Sequence, residues 1–215
     1  MFDVAIVDLK TSNIKSVIGA CQKVKLKYIL TSNPRNFKKA KAMILPGVGS
    51  FKSSMNFLNK KKLVSPIKNF FKAGKPMLGI CLGMQLFFKE SSEFGKTKGL
   101  DIISAKVKKF SLKNNCNLPN IGWSTISSKK KFNNPILKNI NTKKTFYFVH
   151  SYYVEKFNQK EHTVEFSKNG KTNFCTFVNF KNLYLVQFHP EKSSTEGLKI
   201  YSNFKELINK WVKKL

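Results

Sequence analysis

Cys81 stands in the run Gly79-Ile80-Cys81-Leu82-Gly83, and no other residue has surroundings so suited to covalent chemistry. A thiol between glycines at a strand-to-helix corner resembles the G-x-S-x-G elbow, with cysteine replacing serine. The small neighbours admit the strained backbone of such a corner, which would expose the sulfur at the carboxyl end of a sheet. The Leu82 N–H and the start of the next helix would face the same point and favour a thiolate. The plainer reading is a buried cysteine in a glycine-rich turn.

A nucleophilic thiol needs a base, because a free cysteine of pKa about 8.5 is mostly protonated at neutral pH. His189 ends the apolar run from Leu183 to Phe188, and Pro190 and Glu191 follow. Residues two apart in extended chain point to the same side, so Glu191 can orient the imidazole and stabilise its charged form. Taken singly, His189 would be a satisfied core histidine and Glu191 a surface charge. The ordered set of Cys elbow, His, Pro and Glu argues instead for a catalytic triad.

The run Pro46-Gly47-Val48-Gly49-Ser50-Phe51 is the third element. A glycine-rich turn after a strand can present the Val48 N–H beside that of Leu82, and the two would form an oxyanion hole. An ordinary strand-to-helix turn has the same composition. A phosphate-binding loop is excluded, since no Gly-Lys-Ser/Thr follows.

The elements that must carry these groups alternate over the first 90 residues. Strands are expected at Phe2–Leu9, Lys27–Thr31, Ala42–Leu45 and Met77–Ile80, with helices over Asn13–Lys25, about Phe51–Ala73 and about Leu82–Glu90. Such βαβ alternation predicts a parallel sheet covered by helices on both faces. From about Ile102 to Phe188 short β-rich runs dominate, which reads as an antiparallel extension of the sheet. A last helix begins near Ser193, with Ser193 and Glu196 as a possible capping box and a packing stripe of Leu198, Tyr201, Phe204, Leu207, Ile208 and Trp211.

A chain of 215 residues is expected to form one domain, spanning residues 1–215. No apolar run approaches the roughly 20 residues of a membrane helix, and the acidic start Phe2-Asp3-Val4 does not read as a signal peptide. A cytoplasmic protein with no membrane partner is the expectation. Cys21, Cys81, Cys116 and Cys175 show no paired spacing, so free thiols are expected. With His150, His162 and His189 they form no metal-ligand pattern, and neither a metal nor another cofactor is expected. The net charge of +29 invites a nucleic-acid reading, yet Arg35 is the only arginine and the lysines are spread along the chain. Nucleic-acid readers rely on arginine forks, so no specific nucleic-acid partner is expected.

Together these motifs resemble the class I (triad) glutamine amidotransferases. Within that family the chain is most similar to the glutaminase subunits of imidazole glycerol phosphate synthases in histidine biosynthesis. The resemblance covers nearly the whole chain, including Leu45–Phe51, Gly79–Gln85, Pro119-Asn120-Ile121-Gly122-Trp123, His150-Ser151-Tyr152-Tyr153 and Gln187–Ser193. It implies an α/β, flavodoxin-like fold with a mostly parallel sheet. It assigns Cys81 as nucleophile, His189 as base and acid, and Glu191 as orienter. Gly47, Gly49, Gln85, Glu93, Ser151 and Tyr152 fall where the family holds L-glutamine, with Glu93 meeting the ammonium group.

The resemblance further implies a heterodimer with a (β/α)8-barrel cyclase, with Asn13, Trp123, Tyr147 and Lys192 at the interface through which ammonia passes. One segment departs from the family, which has aromatic-Gly-x-Gly-Asn where this chain has Leu9-Lys10-Thr11-Ser12-Asn13. Read without the family, Gln85 and Glu93 would be surface polar residues and Trp123 could be core packing. Rival readings are a paralogue feeding ammonia to another synthase, such as one in surface-sugar biosynthesis, a basic nucleic-acid binder on an inactive scaffold, or an α/β peptidase.

Overall fold

The computed structural model describes residues 2–10, 14–126, 132–155, 157 and 160–214. Its elements run β1 (Phe2–Val7), α1 (Ile14–Lys23), β2 (Tyr28–Thr31), α2 (Pro34–Lys39), β3 (Ala40–Leu45), α3 (Phe51–Lys60), α4 (Val64–Lys72), β4 (Met77–Ile80) and α5 (Leu82–Gln85). There follow β5 (Phe88–Ser91), β6 (Thr97–Lys98), β7 (Ile103–Lys109), β8 (Asn120–Thr125), β9 (Thr145–His150) and β10 (Tyr152–Val154). β11 (Thr163–Asn169), β12 (Thr172–Phe180), β13 (Leu183–Val186) and α6 (Ser194–Val212) complete the series.

The main sheet has the order β11-β12-β13-β4-β3-β1-β2. The five strands from β13 to β2 pair in parallel, and β12 and β11 add antiparallel strands at one side. A mostly parallel sheet buried on both faces needs apolar residues at successive positions, and β1 supplies them. Val4 and Ile6 enter the core shared with α1 and α6, while Ala5 and Val7 enter the core shared with α3 and α4. Among the described residues, no helix is long and apolar enough to cross a membrane.

The antiparallel extension is smaller than the sequence suggests. Among the described residues, only β11 and β12 extend the main sheet antiparallel, because β13 pairs parallel with β4. The remaining short strands build two separate sheets, β10-β7-β5-β6 and the ribbon β8-β9. The helix expected over Leu82–Glu90 is a single turn, and the chain then enters β5. The physical reason lies in the carbonyls of residues 86–89. The backbone N–H of Leu100 donates to Leu86, those of Ile102 and Ile103 to Phe87, that of Asp101 to Phe88 and that of Gly99 to Lys89. Those acceptors are therefore taken by another segment, and no helical ladder can use them. Leu86, Phe87 and Phe88 are all buried, which one face of a helix could not achieve.

The capping box at Ser193 is also corrected. Ser193 Oγ makes no bond to the helix; it donates to the His189 carbonyl at 2.7 Å and accepts from the Tyr147 N–H at 3.0 Å. Glu196 pairs with Lys199 at 2.7 Å instead of reaching back to the cap. In the departing turn after β1, Lys10 has φ 60°, the left-handed region that a glycine fills at no steric cost. Asp8 holds it there, accepting from the Lys10 N–H at 3.0 Å and pairing with its Nζ at 2.7 Å. Asn13 lies outside the described residues.

Candidate active site

β3, β4 and β13 are adjacent and parallel, so their carboxyl ends open on one edge of the sheet. This is where open α/β sheets place their ligands. β4 delivers Cys81, β3 the loop 46–50, and β13 the segment 187–191.

Cys81 has φ 53° and ψ −112°. A non-glycine residue there carries strain of about 1–3 kcal/mol, which the surroundings must over-determine. Its N–H donates to the Val186 carbonyl at 2.7 Å, continuing the β4–β13 pairing by one residue. The flanking glycines are required by close approach. A Cβ at Gly79 would lie 2.6 Å from a Leu185 methyl, and a Cβ at Gly83 would overlap the Leu45 carbonyl. A Cβ at Gly47 would come within 2.9 Å of Leu82 and Gly83, so the loop after β3 is pressed against the Cys81 turn. Gly49 follows at φ 102°, and Ser50 then caps α3 by accepting from the Ser53 N–H at 3.2 Å. The loop and the turn thus meet as a pair of glycine-dependent corners.

His189 is buried beside Cys81. Its Nδ1 lies 2.7 Å from Glu191 Oε1, in a contact where both side chains are almost wholly enclosed. A carboxylate can only accept, so Nδ1 carries a proton. The backbone N–H of His189 donates to the Tyr147 carbonyl at 2.9 Å. Burial pushes against a charge on the imidazole, but Cys81 first and Glu191 second outweigh it and raise the pKa to about 10. Among the described residues no nitrogen or oxygen meets its buried Nε2, and Cys81 is the side chain that acts on this end of the ring. A charged imidazole with an N–H beside a sulfur can transfer a proton to a leaving group.

A cavity of about 280 Å³ opens over Cys81, and its lining includes Val48, Gly49, Leu82, Gln85, Glu93, His150, Ser151 and Tyr152. That volume lies near the small end of the range for small-molecule sites and suits a ligand of amino-acid size. Five of the six residues expected to hold glutamine line it; Gly47 does not, and acts through the turn it packs against. His189 is not a lining residue, whereas Cys81 is. Glu93 is fixed by its Oε2, which accepts from the Phe51 N–H at 2.6 Å at the start of α3. Gln85 is buried, not a surface residue.

Trp123 is 52% exposed on β8, which corrects the core-packing alternative. Its ring meets Tyr147 edge-on at 5.8 Å; Tyr147 lies 6.5 Å from the His189 ring, and Lys192 Nζ sits 5.7 Å from Tyr147. These three residues form a strip from the surface to the buried histidine.

Two buried polar residues escaped the sequence reading. His150 lines the cavity, and burial pushes its pKa down to about 4. Its Nδ1 meets the Tyr152 carbonyl at 2.8 Å and its Nε2 the Asn120 amide nitrogen at 3.0 Å, so the ring is neutral with its proton on Nδ1. Gln187 is fully buried, and its Nε2 donates to Cys81 Sγ at 3.6 Å. The available signal was a polar residue ending or interrupting an apolar run, Phe146–Val149 before His150 and Leu183–Val186 before Gln187.

The four cysteines are free thiols. Burial pushes Cys21 and Cys175 up to about 12, which makes them inert. Native-state treatment with iodoacetamide is therefore expected to label Cys81 first and leave Cys21 and Cys175 unmodified. Peptide mapping by mass spectrometry checks this, and label on Cys21 before Cys81 would refute it.

The class-I glutamine amidotransferase family model matches residues 5–207. The chain is 37% identical over 204 residues to the imidazole glycerol phosphate synthase subunit HisH of Chlorobium chlorochromatii, covering 95% of this chain and 100% of that one. It is 40% identical to the subunit of the same name from Caldanaerobacter subterraneus, covering 95% and 98%. A Prochlorococcus marinus protein of that name is 37% identical over the full length of both chains. Among solved structures, a glutamine amidotransferase crystal structure superposes with a TM-score of 0.73 at 15% identity, covering 96% of this chain and 99% of that one. PurLQS from Thermotoga maritima gives 0.72 at 16% identity, covering 97% and 100%.

Proposed function

The chain belongs to the class-I glutamine amidotransferase family, and on that premise we propose that it is the glutaminase subunit of an imidazole glycerol phosphate synthase, acting in histidine biosynthesis. The observation that carries the chemistry is the strained Cys81 corner beside the His189–Glu191 pair, under a cavity bordered by Val48 and Gly49. The Cys81 thiolate, its proton already on His189, attacks the side-chain amide carbon of glutamine, and the carbonyl oxygen becomes an oxyanion facing the Val48 and Leu82 N–H groups. His189 gives its proton to the amide nitrogen, the C–N bond breaks, and ammonia leaves a glutamyl thioester. His189 then takes a proton from water, whose oxygen attacks the thioester and releases glutamate, restoring the thiolate beside the charged imidazole. Glu191 holds the imidazole throughout. Gly49, Gln85, Glu93, Ser151 and Tyr152 seat the amino-acid end, with the Glu93 carboxylate on the ammonium group.

Ammonia then passes to a (β/α)8-barrel cyclase docked on the strip of Trp123, Tyr147 and Lys192. An exposed tryptophan next to a tyrosine and a cation is the composition of a binding centre. Co-expression with the cyclase should yield a stable heterodimer that makes imidazole glycerol phosphate with glutamine as sole nitrogen donor. Trp123→Ala should weaken that complex by about tenfold or more. A chain that hydrolyses glutamine yet neither binds the cyclase nor supports this synthesis would instead serve another synthase.

A further inference from the structure

A line of hydrogen bonds runs from the cavity wall to the nucleophile, and its central member has no role in the reaction just described. We infer that Gln187 is a positioning residue whose one side chain ties the substrate-lining Gln85 to the sulfur of Cys81. The inference rests on the functional reading above.

The orientation of each amide follows from a single backbone group. The Tyr152 carbonyl, which can only accept, takes Nδ1–H of His150 at 2.8 Å and Nε2–H of Gln85 at 2.9 Å. Nitrogen rather than oxygen of Gln85 must therefore face it. The second hydrogen of the same nitrogen points to Gln187 Oε1 at 2.9 Å. That contact in turn fixes Gln187 with Nε2 towards Cys81 Sγ, at 3.6 Å. The backbone N–H of Gln187 donates to the Thr176 carbonyl at 2.9 Å, which anchors the residue to β12.

Two consequences are chemical. A donor aimed at sulfur binds a thiolate more strongly than a thiol, and acceptance at Oε1 polarises the amide to strengthen that donation. Both hydrogens of Gln85 Nε2 are also spent inside the protein, so its side chain is held against the cavity by Gln187 and Tyr152 together. Loss of Gln187 should thus disturb both the nucleophile and substrate binding, which a glutamine serving only to fill the core would not do.

The test follows iodoacetamide labelling of Cys81 in the intact chain, with and without glutamine, and needs no turnover. Gln187→Leu is expected to slow labelling about fivefold and raise the glutamine concentration for half-protection about tenfold, as loss of hydrogen bonds of ordinary strength implies. Gln187→Asn keeps the amide but shortens its reach, and should show smaller losses of both kinds; it decides the matter if the leucine variant does not fold. Combined with Gln85→Leu, the effects on half-protection should be less than additive. Labelling and protection unchanged in a folded variant, with only the melting temperature lowered, would overturn the inference. Failure of glutamine to protect the wild-type chain would overturn the functional reading itself, and the inference with it.

Discussion

Replacing Cys81 by alanine is expected to reduce glutamine hydrolysis by about 10⁴- to 10⁶-fold, while leaving circular dichroism and cyclase binding intact. Loss of the nucleophile removes the covalent pathway outright, and the remaining groups catalyse little without it. The variant also alters the neighbouring titration. Burial opposes a charge on His189, and Cys81 is the first of the groups that overcome it. Without the sulfur, the His189 resonance should therefore titrate below the value of about 10 in the parent chain.

The stability consequence has a definite sign. A base whose folded pKa is raised stabilises the fold fully below its unfolded value, near 6.5, and that stabilisation disappears as pH rises through about 10. The stability gap between the parent and Cys81→Ala attributable to this charge should therefore narrow between pH 6.5 and 10. Hydrolysis by Cys81→Ala at the parental rate would refute the nucleophile assignment. A gap that widens over that pH range would refute the electrostatic account.

Gly83→Ala is the second large effect, and it acts through backbone sterics. The added Cβ would overlap the Leu45 carbonyl oxygen and crowd its carbon at 2.7 Å, and neither atom belongs to a flexible side chain. Either β3 shifts or the Cys81 turn opens, and both carry the site. A cost above about 4 kcal/mol is expected, with a melting temperature lowered by about 10 °C or more, or no soluble protein. The internal comparison is Gly19→Ala on α1, where nothing lies within 4 Å of the new Cβ. That change should stabilise the chain by about 0.5–1 kcal/mol, since glycine within a helix is unfavourable relative to alanine. Thermal unfolding of the two variants decides it: similar melting temperatures would show that the Gly83 contact does not constrain the fold.

The sequence by itself determined what depends on neighbours in the chain. Hydrophobic runs marked β1, β3, β4 and β13, because a strand buried on both faces has to be apolar throughout. Glycines on either side of Cys81 and at 47 and 49 marked the tight corners, since steric demand there is local. Pro190 between His189 and Glu191 left those two side chains within two residues of each other.

Tertiary structure alone decided the rest. The segment after Gln85 has helix-compatible residues but becomes a strand, because residues 99–103 claim its carbonyls. Ser193 looks like a helix cap, yet its hydroxyl bridges the His189 and Tyr147 backbones. Gln187 became legible only once Gln85, from more than a hundred residues earlier, was seen against its amide oxygen. Hydrogen bonds between distant segments have no signature in local spacing. Donors and acceptors are common in any sequence, and only the folded chain assigns each to its partner.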